Sequence, residues 1–132
     1  MVGGMRWLVD ASNVIGSRPD GWWRDRSGAT RRLIDQLAAF ARDGGERVTV
    51  VLDAGPAELA GRTGLLEVVI APRRGRDAAD DEIVRRLEAS PAPAEVCVVT
   101  SDAALAARVR ALGATVHGAG GFRERLPDPS ER

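Results

Sequence analysis

The sequence predicts a single α/β domain, a doubly wound and mostly parallel β-sheet flanked by helices. Two observations lead to this fold class. Short, nearly continuous apolar segments recur along the 132 residues, as is typical of parallel strands that are buried on both faces. Segments with an apolar stripe at helical spacing lie between them, and this alternation implies right-handed crossovers in one sheet. We expect the domain to span residues 1–126 and residues 127–132 to form a short flexible tail.

Five apolar segments are predicted as strands, in chain order residues 5–10, 47–53, 65–71, 96–102 and 114–117. The first, second and fourth segments each end in an aspartate, and Pro72 ends the third. The sheet is therefore expected to carry several carboxylates at the ends of its strands.

Three amphipathic segments are predicted as helices, residues 27–42, 77–89 and 103–112. Gly44 and Gly45 stop the first helix, and Gly113 is suited to the C-cap of the third. The later glycines, at positions 118, 120 and 121, lack the spacing of a dinucleotide fingerprint, and we interpret them as a turn.

The composition restricts the chemistry. Nineteen basic and nineteen acidic residues give zero net charge, so that a nucleic acid would have to be held by a local basic patch. Every basic side chain is arginine, which excludes P-loop and receiver-type mechanisms because both need a lysine. A haloacid-dehalogenase motif is also excluded, since Ser12 stands where its second aspartate would be.

Cys97 and the N-terminal segment bear on the cellular compartment. Cys97 is the single cysteine and lies in an apolar run, which predicts a buried and inert thiol. The N-terminus lacks a signal-peptide pattern, and no run approaches the roughly 18 apolar residues of a membrane span. We expect a cytoplasmic protein with no membrane partner.

The three strand-end aspartates are Asp10, Asp53 and Asp102. In an open α/β sheet the carboxyl ends of parallel strands lie at one edge, where ligands bind. Each aspartate alone could be a turn former or a helix N-cap, and for Asp102 capping is an even alternative. Three together predict an acidic site.

A fourth carboxylate, Asp80, lies on the same helical face as the apolar residues of its segment. A carboxylate on an inward face needs a partner or a metal ion. We therefore favour Asp80 over Asp81 as the functional residue, and we interpret Asp77 as the N-cap. Carboxylates without a cluster of histidine or cysteine favour Mg²⁺ or Mn²⁺, ions that activate water and neutralise a phosphodiester.

Four segments of the chain resemble one known family. Residues 8–16 read LVDASNVIG, residues 50–54 VVLDA, residues 77–83 DAADDEI and residues 98–102 VVTSD. In this order they resemble the motifs of YacP-like NYN domains, in the PIN-like nuclease superfamily, over about residues 8–126. One departure is Ala11, since the family has glycine after the first aspartate, and alanine does not readily adopt positive φ.

The resemblance implies a metal-dependent endoribonuclease that hydrolyses single-stranded RNA. Asp10, Asp80 and Asp102 would be the catalytic metal ligands, with Asn13 beside them and Asp53 in support. The same motifs carry Asp81 and Ser101, which we place in the supporting set.

Two further segments are candidates for RNA contact. Trp22 and Trp23 follow a turn in a loop that also carries arginines, and we expect one indole to plug the core and the other to stack on bases or form a contact surface. The arginines at 73, 74 and 76 precede the Asp80 helix and could hold phosphates, although a solvated loop is an equal alternative.

Two other functions stay open at this point. One is a non-catalytic RNA-binding or regulatory module with the same fold, and the other is the nuclease toxin of a toxin–antitoxin pair. The sequence also leaves open whether a ribosome presents the RNA and whether the chain forms a homodimer.

Overall fold

A six-stranded sheet with helices on both faces forms the fold in the computed structural model, which describes residues 5–73, 75 and 77–127. In chain order the elements are β1 (Arg6–Asp10), α1 (Ala11–Ile15), α2 (Arg26–Gly44), β2 (Val48–Leu52), β3 (Gly61–Thr63), β4 (Leu66–Ile70), α3 (Ala78–Glu88), β5 (Val96–Val99), α4 (Ala103–Ala111), β6 (Thr115–His117) and α5 (Ala119–Glu124). Short 3-10 turns cover Trp22–Arg24, Ala57–Leu59 and Pro93–Glu95. The predicted α/β class is confirmed.

The strand order is β3-β4-β2-β1-β5-β6. Strand β1 lies at the centre and pairs in parallel with both β2 and β5, and β4 and β6 continue the parallel sheet outward. Strands β2, β3 and β4, which follow β1 in the chain, lie on one side of it, and the later strands β5 and β6 lie on the other side. The strand order therefore reverses between β1 and β5, the position at which open α/β sheets bind ligands.

Two layers of helices cover the sheet. One core cluster joins the sheet to α1, α2 and α5, with Leu37 and Phe122 fully buried in it. The other joins the sheet to α3 and α4 through Ile83, Leu105 and Val109. These contacts hold the N-terminal ends of α1, α3 and α4 at the carboxyl edge of the strands, where the predicted site residues lie.

All five predicted strands and all three predicted helices are present, with ends that differ by at most two residues except in β5, which ends three residues earlier than predicted. Strand β3, which pairs antiparallel with β4, was not predicted, nor were the short helices α1 and α5. Interpreting the later glycines as a turn was wrong, because Gly118 is the N-cap of α5 and Gly120 and Gly121 lie inside it. Ala11 opens α1 without positive φ, so the local backbone suits alanine.

Other expectations concern single positions. Cys97 is buried, as predicted. Leu126 is buried in the first core cluster, and the Pro127 carbonyl accepts a hydrogen bond from Gln36 Nε2 at 3.0 Å. The remainder of the predicted tail, residues 128–132, lies outside the described residues. Within the described part of the chain, no helix has the length and apolar character that crossing a membrane requires.

Candidate active site at the carboxyl edge of the sheet

Asp10 ends the central strand β1 and is only 2% exposed. Its Oδ2 accepts a hydrogen bond from the Thr100 hydroxyl at 3.2 Å, and its Oδ1 accepts one from the Ser12 hydroxyl at 3.3 Å. Burial raises the pKa of Asp10, and the charge of Asp102 adds to the rise, whereas hydrogen bonds from Thr100, Ser12 and the Asn13 backbone oppose it. A carboxylate is thus held in place at the reversal point of the sheet.

Thr100 is a site residue that the sequence analysis missed. It is 1% exposed, and its hydroxyl both donates to Asp10 and accepts a hydrogen bond from the Asp102 N–H at 3.1 Å. One hydroxyl therefore fixes the distance between the carboxyl ends of β1 and β5. The available signal was a hydroxyl residue at the end of an apolar strand, immediately before two predicted site residues.

Asp80 lies in the first turn of α3, which packs against β1 and β2, and it is half-buried. Burial first, and then the charges of Asp10, Asp102 and Asp77, raise the pKa of Asp80 from 3.8 to about 6, while Arg108 acts in the opposite direction. Three carboxylates from β1, α3 and the end of β5 therefore act on one another. That Asp10, Asp80 and Asp102 lie within reach of one metal ion stays a prediction.

Glu82, two residues further along α3, is a buried carboxylate that has charged partners. It is buried, and it accepts hydrogen bonds from Arg85 at 2.6 and 2.8 Å and from Arg86 at 2.9 Å. These arginines lower the pKa of Glu82 despite its burial. Among the described residues Asp80 has no ion pair of this kind, and only the charge of Arg108 lowers its pKa.

Asp102 serves as the N-cap of α4 and belongs to the acidic cluster as well. Its Oδ1 accepts a hydrogen bond from the Leu105 N–H at 3.0 Å, which is the capping geometry expected of aspartate. The same carboxylate raises the pKa values of Asp10 and Asp80. For Asp102, the role of helix cap and membership of the acidic cluster therefore do not exclude one another.

Asn13 and Ser101 connect three elements around Asp10. The Asn13 Oδ1 accepts a hydrogen bond from the Ser101 N–H at 2.7 Å, and the Ser101 Oγ accepts one from the Ala119 N–H at 2.8 Å. Helix α1, the segment after β5 and the start of α5 are thereby tied together. Asn13 and Ser101 are thus placed beside Asp10 as supporting residues, while a direct role in chemistry stays a prediction.

The other acidic residues of α3 have separate roles. Asp81 is exposed and pairs with Arg108, at 3.7 Å between Oδ1 and Nη1. Asp77 is the N-cap residue of α3, as predicted, although its side chain makes no capping hydrogen bond. Its charge adds to the negative potential at Asp80.

Asp53 follows β2 and is exposed. It lines a neighbouring cavity of about 400 Å³ together with Trp22 and Ser12. Trp22 is half-buried and belongs to neither core cluster, so the expectation that one indole plugs the core was wrong, and the adjacent Trp23 is 49% exposed. Arg73 is exposed in the loop before α3, whereas Arg74 and Arg76 lie outside the described residues.

The donors at the acidic cluster fit a hard divalent cation. Asp10, Asp80 and Asp102 offer only oxygen atoms, and the pKa values of Asp10 and Asp80 are raised by burial first and then by the charges of neighbouring carboxylates. No group of three or more His, Cys, Asp or Glu side chains in the described ranges forms a ready-made metal site. The Asp10 oxygens already accept hydrogen bonds from Ser12 and Thr100, and the Asp102 carboxylate already caps α4. The three carboxylates therefore suit a divalent cation by their donor atoms and charge, but they do not form a complete coordination shell.

A doubly wound sheet with an acidic cluster at its reversal point defines the class of protein, a nuclease-like α/β domain. Residues 7–131 match the sequence profile of the YacP-like NYN domain family, and the chain belongs to this family. The fold and this membership are consistent with a ribonuclease.

Two solved structures of Rae1 (YacP) from Bacillus subtilis are similar to the chain. Its W164L mutant aligns with a TM-score of 0.70 and 26% identity, over 92% of this chain and 77% of that one. The other Rae1 structure aligns with a TM-score of 0.69 and 26% identity, over 95% and 76% of the two chains. A comparison with curated protein sequences gave no match.

Proposed function

We propose that the protein is a metal-dependent endoribonuclease that hydrolyses phosphodiester bonds of single-stranded RNA. The observation that carries this proposal is the convergence of three carboxylates, from β1, α3 and the segment after β5, at the point where strand order reverses. Burial raises the pKa values of Asp10 and Asp80, and the negative charges of neighbouring carboxylates add to both rises. Family membership is the independent support.

Asp10, Asp80 and Asp102 would hold a Mg²⁺ or Mn²⁺ ion. Such an ion, when bound, activates water and neutralises negative charge on the phosphodiester. Asp10 is positioned for this by the Thr100 and Ser12 hydroxyls, which fix both of its oxygens. Asn13 holds the backbone after β5 in place, so that Asp102 is presented beside Asp10.

The substrate's phosphates would be held by arginine. Arg73 lies in the loop that leads into α3, and the sequence adds Arg74 and Arg76 to that loop. Arginine on a loop beside a carboxylate cluster can offset the negative potential that a phosphodiester meets there. This arrangement favours contacts with the RNA backbone over contacts with its bases.

The test is cleavage of labelled single-stranded RNA by the purified protein with Mn²⁺, with Mg²⁺ and with a chelator. We expect cleavage with either ion, none with chelator, and none for Asp10→Asn. A matched control is Asp43→Asn, which removes the same charge from an exposed aspartate near the end of α2, before β2 and so at the opposite edge of the sheet. RNA binding without cleavage in any ion would instead indicate the non-catalytic module, and cleavage by Asp10→Asn would contradict the assigned site.

A further inference from the structure

A cavity beside the acidic cluster has no role in the function proposed so far. Its volume is about 400 Å³, within the range of small-molecule sites. We call it the Trp22 cavity; its walls include Ser12, Trp22, Arg26, Asp53, Pro56 and Leu59. Its lining combines an aromatic ring, apolar side chains, a guanidinium and a carboxylate, which is the composition of a site for a flat, partly polar ligand.

Two planar groups line this cavity. Trp22 is half-buried, and the Arg26 guanidinium carbon lies 5.4 Å from the centre of the Trp22 ring. Indole and guanidinium planes are the surfaces on which proteins stack unpaired nucleobases. The exposed Trp23 meets Trp22 edge-on, at 5.9 Å between ring centres, and does not line the cavity.

The Asp53 carboxylate supplies the polar contact. It follows β2, lines the cavity and, within the described part of the chain, has no hydrogen bond or ion pair of its own. An ionised carboxylate only accepts hydrogen bonds, so it selects a ligand edge that donates. Guanine offers two adjacent donors on its Watson–Crick edge, whereas adenine and cytosine offer one amino group beside an acceptor nitrogen, and uracil offers one N–H between two carbonyls.

The cavity adjoins the acidic cluster through Ala11 and Ser12, the two residues that follow Asp10. Ser12 lines the cavity, and its hydroxyl donates to Asp10 at 3.3 Å. A base held in the cavity would therefore belong to a nucleotide next to the phosphodiester at Asp10.

We propose that the Trp22 cavity binds one unstacked guanine of the RNA, with the Trp22 ring stacking on the base and Asp53 accepting from its Watson–Crick edge. This inference rests on the proposed function for its substrate, and it makes Asp53 a specificity residue instead of a support for the metal site.

The experiment measures binding in chelator, where the proposed reaction does not occur. Fluorescently labelled pentanucleotides UUGUU, UUAUU, UUCUU and UUUUU are titrated with protein and followed by anisotropy. The variants are Trp22→Leu with Trp23→Leu as its counterpart, and Asp53→Asn with Glu58→Gln as its counterpart. Glu58 is an exposed carboxylate in the same loop that does not line the cavity.

Wild type is expected to bind UUGUU about tenfold more tightly than the other probes, and Trp22→Leu to weaken that binding by about tenfold or more. Asp53→Asn should bring UUGUU to the level of UUAUU, while Glu58→Gln keeps the preference. Equal binding of all four probes, a preference that survives Asp53→Asn, or an equal loss from both tryptophan variants would overturn the proposal. Since Asp53 is exposed, its variant is informative even if Trp22→Leu unfolds. RNA cleavage is measured in a separate assay. If wild type cleaves RNA but shows no preference for guanine, the guanine site is refuted and the proposed nuclease function is not. If wild type prefers guanine but does not cleave RNA, the nuclease function is refuted and the guanine site is not.

Discussion

Replacing Asp80 by asparagine should stabilise the metal-free protein at neutral pH. The pKa of Asp80 is raised from 3.8 to about 6, so the folded protein binds this proton more tightly than the unfolded chain does. The stability is therefore intact below pH 3.8 and falls as the pH rises through about 6, where the carboxylate ionises among its acidic neighbours. Asparagine keeps the shape of the side chain and removes the charge.

The magnitude follows from the same pKa values. A difference of this size corresponds to about 3 kcal/mol if fully expressed, and solvent around the half-buried side chain reduces it to about 1 kcal/mol. We therefore expect Asp80→Asn to gain about 1 kcal/mol at pH 7.5, or about 4 °C in Tm, and almost nothing at pH 4.

Urea unfolding followed by circular dichroism, in chelator and at both pH values, measures this gain. The matched control is Asp81→Asn, which removes the neighbouring exposed charge that pairs with Arg108 and should not stabilise the protein. A gain of equal size at pH 4 and pH 7.5, or no gain at all, would refute the claim that burial and the neighbouring carboxylates make ionised Asp80 unfavourable in the metal-free fold.

Three other substitutions test the site's parts. Thr100→Val should destabilise the fold by about 1–3 kcal/mol and slow cleavage, because it leaves the buried Asp10 carboxylate and the Asp102 N–H without a hydrogen-bond partner. Thr100→Ser should restore both stability and cleavage. Unchanged cleavage in the valine variant would show that Thr100 is not part of the site. Asp102→Asn should keep the helix cap and lose cleavage, whereas Asp102→Ala should also lose about 1 kcal/mol of stability, and thermal melts alongside the assay separate these roles. The arginines at 73, 74 and 76, replaced together by alanine, should flatten the salt dependence of log affinity for single-stranded RNA by about 0.7 per lost phosphate contact, and coinciding slopes would show that this loop does not touch the RNA.

The elements predicted from sequence are those whose pattern is imposed by burial. Strands β1, β2 and β5 are buried on nearly every residue, so their apolar runs were distinctive. Helix α5 was missed because Gly120 and Gly121 have poor helix propensity, and tertiary contacts override it. Phe122 is fully buried, and the Ser101 Oγ accepts from the first N–H of the helix.

The candidate site was predicted in part for a similar reason. The strand-end aspartates and the inward Asp80 can be recognised from the sequence, because the topology of a parallel sheet brings the ends of its strands to one edge. Thr100 was missed, since its role depends on which side chain faces Asp10 across neighbouring strands. The cavity between Trp22 and Asp53 joins segments far apart in the chain, and no local pattern marks it.

The claim that Asp10, Asp80 and Asp102 act as one metal centre is tested most directly by Mn²⁺ binding, measured by electron paramagnetic resonance titration of the free ion. We predict that wild type and Asp43→Asn bind Mn²⁺ alike and that Asp10→Asn and Asp80→Asn each lose that binding, because every ligand of the set contributes charge to the same ion. Equal Mn²⁺ affinity in wild type and in both site variants would contradict the account.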